Sequence, residues 1–372
     1  MRKKYLRVLL NRLRSAGPGA LLRQGWNAMA VARAAAAGGA PPAPVSATLV
    51  LTYRCNQRCV MCNFPGRARR DTPEMSTVRA RQIIGELALM GTSGISFYGG
   101  EPLLRKDIVE LTAHAHSLGL MTHISTNGML LSLETAQALV RAGADLISIS
   151  LDGGVAETHD RQRGVPGAFQ AVQCAVESVR AARAAVGRRC HCALAATLTA
   201  GNADETGRII AAARALRADT LSVFEAQELS GLAPWGSGAE TETLRRAHTL
   251  LREEKKRDPN FIDNSEEYIR TCLALLDGKP PPARCCAPYS DIFIDTYEDV
   301  YACNYFFGMA RMIGNLRGGS VAAFWRSDDY RKAREDLRNC ALCNYMCHRE
   351  LSLILNRMNI FRIPRGFSRT AV

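Results

Sequence analysis

No stretch of this 372-residue sequence is apolar over the roughly 20 positions that a membrane-crossing helix needs. No secretory signal opens it, which argues against an oxidising destination and against disulfides. Acidic residues are missing from both ends. Residues 1–45 carry eight Lys or Arg and no Asp or Glu, and residues 351–372 carry four Arg and again no acid. Taking those eight and four charges from the formal net +13 leaves the middle of the chain at +1. A near-neutral body without interleaved aromatic and basic residues does not read as a nucleic-acid binder.

What is present describes a globular protein. Apolar residues make up 47% and charged residues 22%, enough to fill the core of one large domain and a smaller one. Thirteen cysteines without a disulfide-permitting context point to metal ligation. The expected location is cytoplasmic, with peripheral contact at a membrane. In the first segment Leu6, Leu9, Leu10 and Leu13 fall at helical spacing opposite Lys3, Arg7 and Arg14. That basic amphipathic pattern suits an anionic membrane surface or an acidic partner, and an organelle transit peptide has the same composition. Residues 351–363 show a similar mixture. Residues 34–44, rich in Ala, Gly and Pro, read as a linker that ends at the start of a domain.

Beyond the linker, strand-like and helix-like stretches alternate. Strands are expected at 48–53, 95–98, 121–125, 146–151, 190–198 and 220–225, with helices between them at 106–118, 133–142, 169–185 and 204–216. Such alternation indicates parallel βαβ units with right-handed crossovers. Six units are fewer than a closed eightfold barrel, so the fold class expected is α/β, a partial (β/α)6 TIM-type barrel. Its active site belongs where the strands end. The domain scheme is a basic segment and linker (1–45), a barrel (46–235), a helical connector (236–284), a cysteine-rich β-hairpin and helix extension (285–350) and a basic tail (351–372).

Cys55, Cys59 and Cys62 follow the first expected strand. Three thiolates in eight positions hold three irons of a cubane and leave the fourth iron open, whereas clusters built for electron transfer alone usually take four cysteines. An open position is where chemistry occurs. A zinc knot is the plainer reading of the same cysteines.

The spacing C-x3-C-x2-C, with Tyr53 before it and Phe64 after it, resembles the signature of the radical SAM superfamily. Other segments resemble the same family in the same order: Gly99-Gly100-Glu101-Pro102, Ser125-Thr126-Asn127-Gly128, Ser148-Ile149-Ser150-Leu151-Asp152-Gly153 and Thr197–Asn202. The resemblance implies that Gly99, Gly100 and Glu101 receive the amino group of S-adenosylmethionine. It places Ser125, Asn127, Ser150 and Asp152 about the same cofactor, with Ser150 and Asp152 near its ribose or methionine part. It implies that Arg163 meets the methionine carboxylate, with Arg161 as a substitute because the segment is one residue longer than the family's usual spacing, and that Asn202 closes around the adenosine.

A second cysteine group, in residues 285–347, resembles the SPASM extension or its shorter Twitch form. Six cysteines are available there, fewer than two fully ligated cubanes need. The resemblance therefore implies one auxiliary [4Fe-4S] cluster on Cys285, Cys303, Cys340 and Cys343, with Cys286 or Cys347 as substitutes. A zinc ribbon would use the same C-x2-C spacing. Glu298 stands where the family's hairpin glycine is usual, which questions the tightness of that turn.

Cys190 and Cys192 read as core thiols, Cys174 and Cys272 as helix residues, and His114 and His116 as surface or capping residues. Asp291, Asp295 and Glu225 are unranked as proton acceptors. The implied activity is hydrogen abstraction by a 5′-deoxyadenosyl radical, with an auxiliary cluster assisting oxidation of a peptide or small molecule. A flavodoxin- or ferredoxin-type donor would supply the electron. The alternatives are the same chemistry on a membrane lipid, glycolipid or sugar, and a non-catalytic zinc or iron–sulfur protein. No peptide-recognition segment is expected ahead of the barrel.

Overall fold

The computed structural model describes residues 17–226, 238–281, 283–340, 343 and 346–358. One sheet runs through it. Strands β1 (Ser46–Val50), β2 (Gly94–Tyr98), β3 (Met121–Thr126), β4 (Leu146–Ser150), β5 (His191–Leu198) and β6 (Thr220–Glu225) pair side by side, all parallel. On the other side of β1 lies β7 (Asp291–Ile294), parallel to it from Ser46 opposite Asp291, followed by antiparallel β8 (Asp299–Tyr301) and β9 (Gly314–Asn315). The hairpin therefore continues the barrel sheet.

The strands show period-two burial, as one face packs and the other turns inward. In β3, Thr122, Ile124 and Thr126 are buried, while Met121, His123 and Ser125 alternate with them at intermediate exposure. The buried set of each strand packs under helices. Ile83, Ile84 and Leu87 of Thr77–Met90, Leu139 and Val140 of Leu133–Ala142, and Val172, Val176 and Val179 of Ala168–Val186 complete one continuous core. Serine N-caps start two of these helices: Ser76 accepts from the Arg79 N–H and Ser132 from the Thr135 N–H.

Two expectations from composition need correction. Residues 34–44 are not a free linker. Helix Gly17–Ala37 takes the alanines, and Pro41, Ala43 and Pro44 are buried. Trp325 Nε1 donates to the Pro41 carbonyl at 2.8 Å, and Asn27 binds both Ala43 N and Pro44 O. Alanine is the best helix former, and its short side chain permits close packing, so an alanine run signals a helix as readily as a spacer. The tail boundary at 350 also falls inside a helix, Met346–Met358, whose Ser352, Leu353 and Leu355 are buried. The amphipathic pattern at Leu6–Leu13 lies outside the described residues, as do residues 359–372.

Candidate active site and cluster-binding loops

The cysteine loop leaves the C-terminal end of β1 and is held by backbone bonds from two directions. Gly100 N donates to Thr52 O at 2.8 Å and Glu101 N to Arg54 O at 2.9 Å. A Cβ at Gly100 would lie 2.2 Å from Arg54 O and one at Gly99 would lie 2.5 Å from Thr52 O. The two glycines thus let the end of β2 close directly on the loop. From the other side, Arg58 N donates to Arg163 O at 3.1 Å and Val60 N to Gln162 O at 3.0 Å.

This clamping brings the three thiols together. Burial raises the Cys55 thiol, as does neighbouring Cys59, against a backbone bond from Gln57. Burial of the sulfur pushes Cys62 up to about 11, and Cys59 and Cys55 add to it, although the residue as a whole is exposed. Thiols that repel one another as anions are stabilised together only by a cation among them, which is the condition a metal centre meets.

The remaining polar residues form one network around the loop. Glu101 is fully buried; its carboxylate accepts from Thr126 Oγ1 (2.8 Å), Leu103 N (3.0 Å) and Asn127 N (2.7 Å). Burial raises its pKa, and those donors oppose the rise. Asn127 in turn donates to Asn56 Oδ1 at 2.7 Å, inside the cysteine loop. Arg163 pairs with buried Asp152 at 2.7 Å and donates to Cys59 Sγ at 3.6 Å. Asp152 also accepts from Thr197 N at 2.7 Å, and Asn202 donates to Asp152 O (2.8 Å) and Thr197 O (2.9 Å). Ser150 reaches Thr126 O at 3.4 Å, and Ser125 is half-buried at the end of β3. Arg161 is exposed, and its guanidinium donates to Gly201 O at 3.2 Å. The structure gathers all nine expected cofactor residues at one end of the barrel, and among the two arginines it puts Arg163 against the thiols.

Sequence reasoning missed a polar ladder inside the barrel. Ser96 Oγ lies 3.1 Å from His123 Nδ1, and Ser148 Oγ lies 2.9 Å from His123 Nε2. His123 shares a face of β3 with Ser125, two positions nearer the strand's start. Strand parity carried the signal, but the motif segments after the strands drew the reading. His159 was also missed. It is fully buried, and its Nδ1 accepts from Asp152 N at 3.0 Å. Burial, then the Arg163 charge, lowers its pKa to about 3.

The second cysteine group converges as well. Cys303 is buried, and its thiol is raised by burial first, then by Cys343, Cys285 and Cys340 around it. Cys286 points elsewhere. Its N–H donates to Ser352 Oγ at 2.8 Å, Asn356 Nδ2 donates to its sulfur at 3.4 Å, and burial pushes it up to about 12. The side chain of Cys347 lies outside the described residues. Glu298 holds the hairpin turn in the left-handed region, at φ 66°, and its carboxylate binds Arg79 and Gly318 N at 2.9 Å each. The turn is tight without glycine. Tyr53, Phe64, Phe293, Tyr297, Tyr301 and Phe307 form one aromatic cluster that joins hairpin to cysteine loop. Cys190 and Cys192 are buried core thiols, each pushed up to about 12 by burial. The three carboxylates are engaged: Asp295 in the turn, Asp291 beside Ser290, and Glu225 against His248.

The family model "Radical SAM superfamily" matches residues 49–205, and that of the SPASM iron–sulfur cluster-binding domain matches residues 285–348. The chain belongs to the radical SAM superfamily. It is a radical SAM enzyme with a C-terminal SPASM domain, and its cofactors are S-adenosylmethionine and [4Fe-4S] clusters. It is 28% identical to an AdoMet-dependent heme synthase of Methanosarcina barkeri, over 79% of this chain and 87% of that one. It is 40% identical to a PqqA peptide cyclase of Rhodopseudomonas palustris, over 33% of each chain. Its fold matches SuiB of Streptococcus suis bound to precursor peptide SuiA, with TM-score 0.62 and 18% identity over 79% of this chain and 67% of that one. No helix among the described residues is long and apolar enough to cross a membrane.

The residues fit these cofactors. A three-thiol loop with no fourth cysteine in it suits a cluster with one open iron, and a four-thiol group suits a closed one. A cluster held by Cys55, Cys59 and Cys62, with S-adenosylmethionine beside it, would supply one-electron cleavage of the sulfonium. The chain's own part is positional. Arg163 sets a fixed cation beside Cys59, Asp152 holds Arg163, and Glu101 ties β3 to the loop.

Proposed function

We propose that this radical SAM enzyme is an oxidoreductase that abstracts hydrogen from a peptide, with an auxiliary cluster on Cys285, Cys303, Cys340 and Cys343 taking the electron left on the substrate. The observation carrying this reading is the meeting of those four cysteines at the open end of a hairpin packed on the Cys55–Cys62 loop. Cys55, Cys59 and Cys62 hold the open cluster. Gly99, Gly100, Glu101, Ser125, Asn127, Ser150, Asp152, Arg163 and Asn202 seat S-adenosylmethionine, and a flavodoxin- or ferredoxin-type protein delivers the electron. A peptide substrate is supported by two similar proteins, one named a peptide cyclase and one solved with a precursor peptide. A small-molecule substrate is the second reading, favoured by the longer match to a heme synthase.

The test is iron and sulfide per chain after anaerobic reconstitution, with 5′-deoxyadenosine release measured on the same samples. Wild type is expected to hold about eight irons, and the Cys55→Ala/Cys59→Ala/Cys62→Ala variant about four, with no release of 5′-deoxyadenosine. Cys285→Ala should lose the other four, whereas Cys286→Ala should lose none. Iron unchanged by the triple variant would overturn the cluster assignment.

A further inference from the structure

Helix Gly17–Ala37 leaves large apolar side chains outside while it buries both of its amides. Gln24 is 8% exposed and Asn27 1%, whereas Leu22, Trp26 and Met29 are 75%, 60% and 49% exposed. At about 3.6 residues per turn, Leu22, Trp26, Met29 and Arg33 form one stripe, opposite Gln24, Asn27 and Val31. The buried amides explain the orientation. Gln24 Nε2 donates to Gly119 O at 3.2 Å and Asn27 Nδ2 to Gly91 O at 3.5 Å. Those carbonyls sit just before β3 and β2, so the helix crosses the starting ends of the strands, away from the cysteine loop at their finishing ends.

Two further features lie at this stripe. Trp26 and Met29, with Ala30, Arg33, Pro41 and Pro42, line a shallow depression of about 220 Å³. Arg33 in that lining and Arg23, next to Leu22 in the helix, are both exposed, within a run of 45 residues that contains no acid. On its buried side the helix is held by Val31 and Ala32, which pack on Leu355 of helix Met346–Met358.

We propose that this face binds the surface of an anionic lipid bilayer. Leu22, Trp26 and Met29 enter the boundary between headgroups and chains, and Arg23 and Arg33 meet lipid phosphates. A tryptophan beside arginines suits that boundary, where one end of the ring is apolar and the other wet. Anchored this way, the barrel's cluster end points away from the bilayer, and substrate enters from water and not sideways from lipid. This inference is independent of the substrate reading above.

The experiment is flotation of the reconstituted full chain with phosphatidylcholine vesicles, with and without phosphatidylglycerol. Binding is expected only with phosphatidylglycerol, and added salt should weaken it. Leu22→Ser/Trp26→Ser/Met29→Ser should lower partition about tenfold or more with iron content unchanged. Trp26→Phe should abolish the vesicle-induced blue shift of tryptophan emission. Wild type that does not float, or a triple variant that floats like wild type, overturns the proposal. So does self-association that the triple variant removes without any vesicle binding, which would assign the face to a second copy.

Discussion

The Tyr53 hydroxyl donates to Asp295 Oδ2 at 2.6 Å, joining the residue before the first cluster cysteine to the turn of the auxiliary hairpin, 242 positions away. The same carboxylate accepts from Tyr297 N and Asp299 N at 2.9 Å each. Burial raises the Asp295 pKa, with the Tyr53 bond opposing it, and burial together with Asp295 raises that of Tyr53. Each holds the other in the form that makes the bond.

Tyr53→Phe keeps the ring stack and removes the donor, leaving a buried carboxylate oxygen underpaired. The expected loss is about 1–3 kcal/mol, read as a fall in unfolding midpoint. In a double-mutant cycle with Asp295→Asn, the two losses should add to more than the loss in the double variant. Strict additivity would show that the contact does no work.

Arg163 and Arg161 separate cleanly. Asp152 is 0% exposed, so Arg163→Met strands a buried charge, with an expected cost of roughly 3–5 kcal/mol and loss of S-adenosylmethionine binding in equilibrium dialysis. Arg161→Ala removes one exposed bond and should stay within about 0.5 kcal/mol with binding intact. Equal effects of the two would contradict the placement of the cofactor arginine.

His159 gives the site a pH dependence of known sign. Its folded pKa, about 3, lies below the ordinary 6.5, because burial and the Arg163 charge disfavour the cation. Between those values the unfolded chain holds the extra proton, so stability is full above 6.5 and falls as pH drops toward 3. The expected slope is about 1.4 kcal/mol per pH unit from this group. Urea unfolding of wild type and His159→Gln should show the slope reduced by that amount in the variant; parallel profiles would refute it.

A glutamate at φ 66° costs about 1–2 kcal/mol relative to glycine. It is retained with its bonds to Arg79 and Gly318 N. Glu298→Ala loses the bonds and keeps the strain, whereas Glu298→Gly loses the bonds and relieves it. Stability should rank wild type, then Glu298→Gly, then Glu298→Ala, with about 1 kcal/mol between the variants. Glu298→Ala at or above Glu298→Gly would remove the strain argument.

The barrel was legible because its strands obey a two-residue period and its helices alternate with them, so topology followed from order alone. The three-cysteine loop was legible because its ligands are local in sequence. Only the family resemblance favoured Cys285 over Cys286, since adjacent residues differ in which way the backbone turns them, and Ser352 and Asn356, which engage Cys286, lie far along the chain. The alanine-rich stretch was misread because composition is silent about the partners that hold it, here Asn27 and Trp325. His123 went unseen because a lone histidine in a strand acquires meaning only from its cross-strand serines.

β1 has a hydrogen-bonded neighbour on each side, β2 and β7. Cutting the chain between barrel and extension would leave β1 with a row of bare amides and carbonyls, an edge ready to recruit other chains. The SPASM part is therefore no detachable module that can be swapped between barrels like an appended cassette. Grafting it elsewhere requires a host whose first strand already has the right edge.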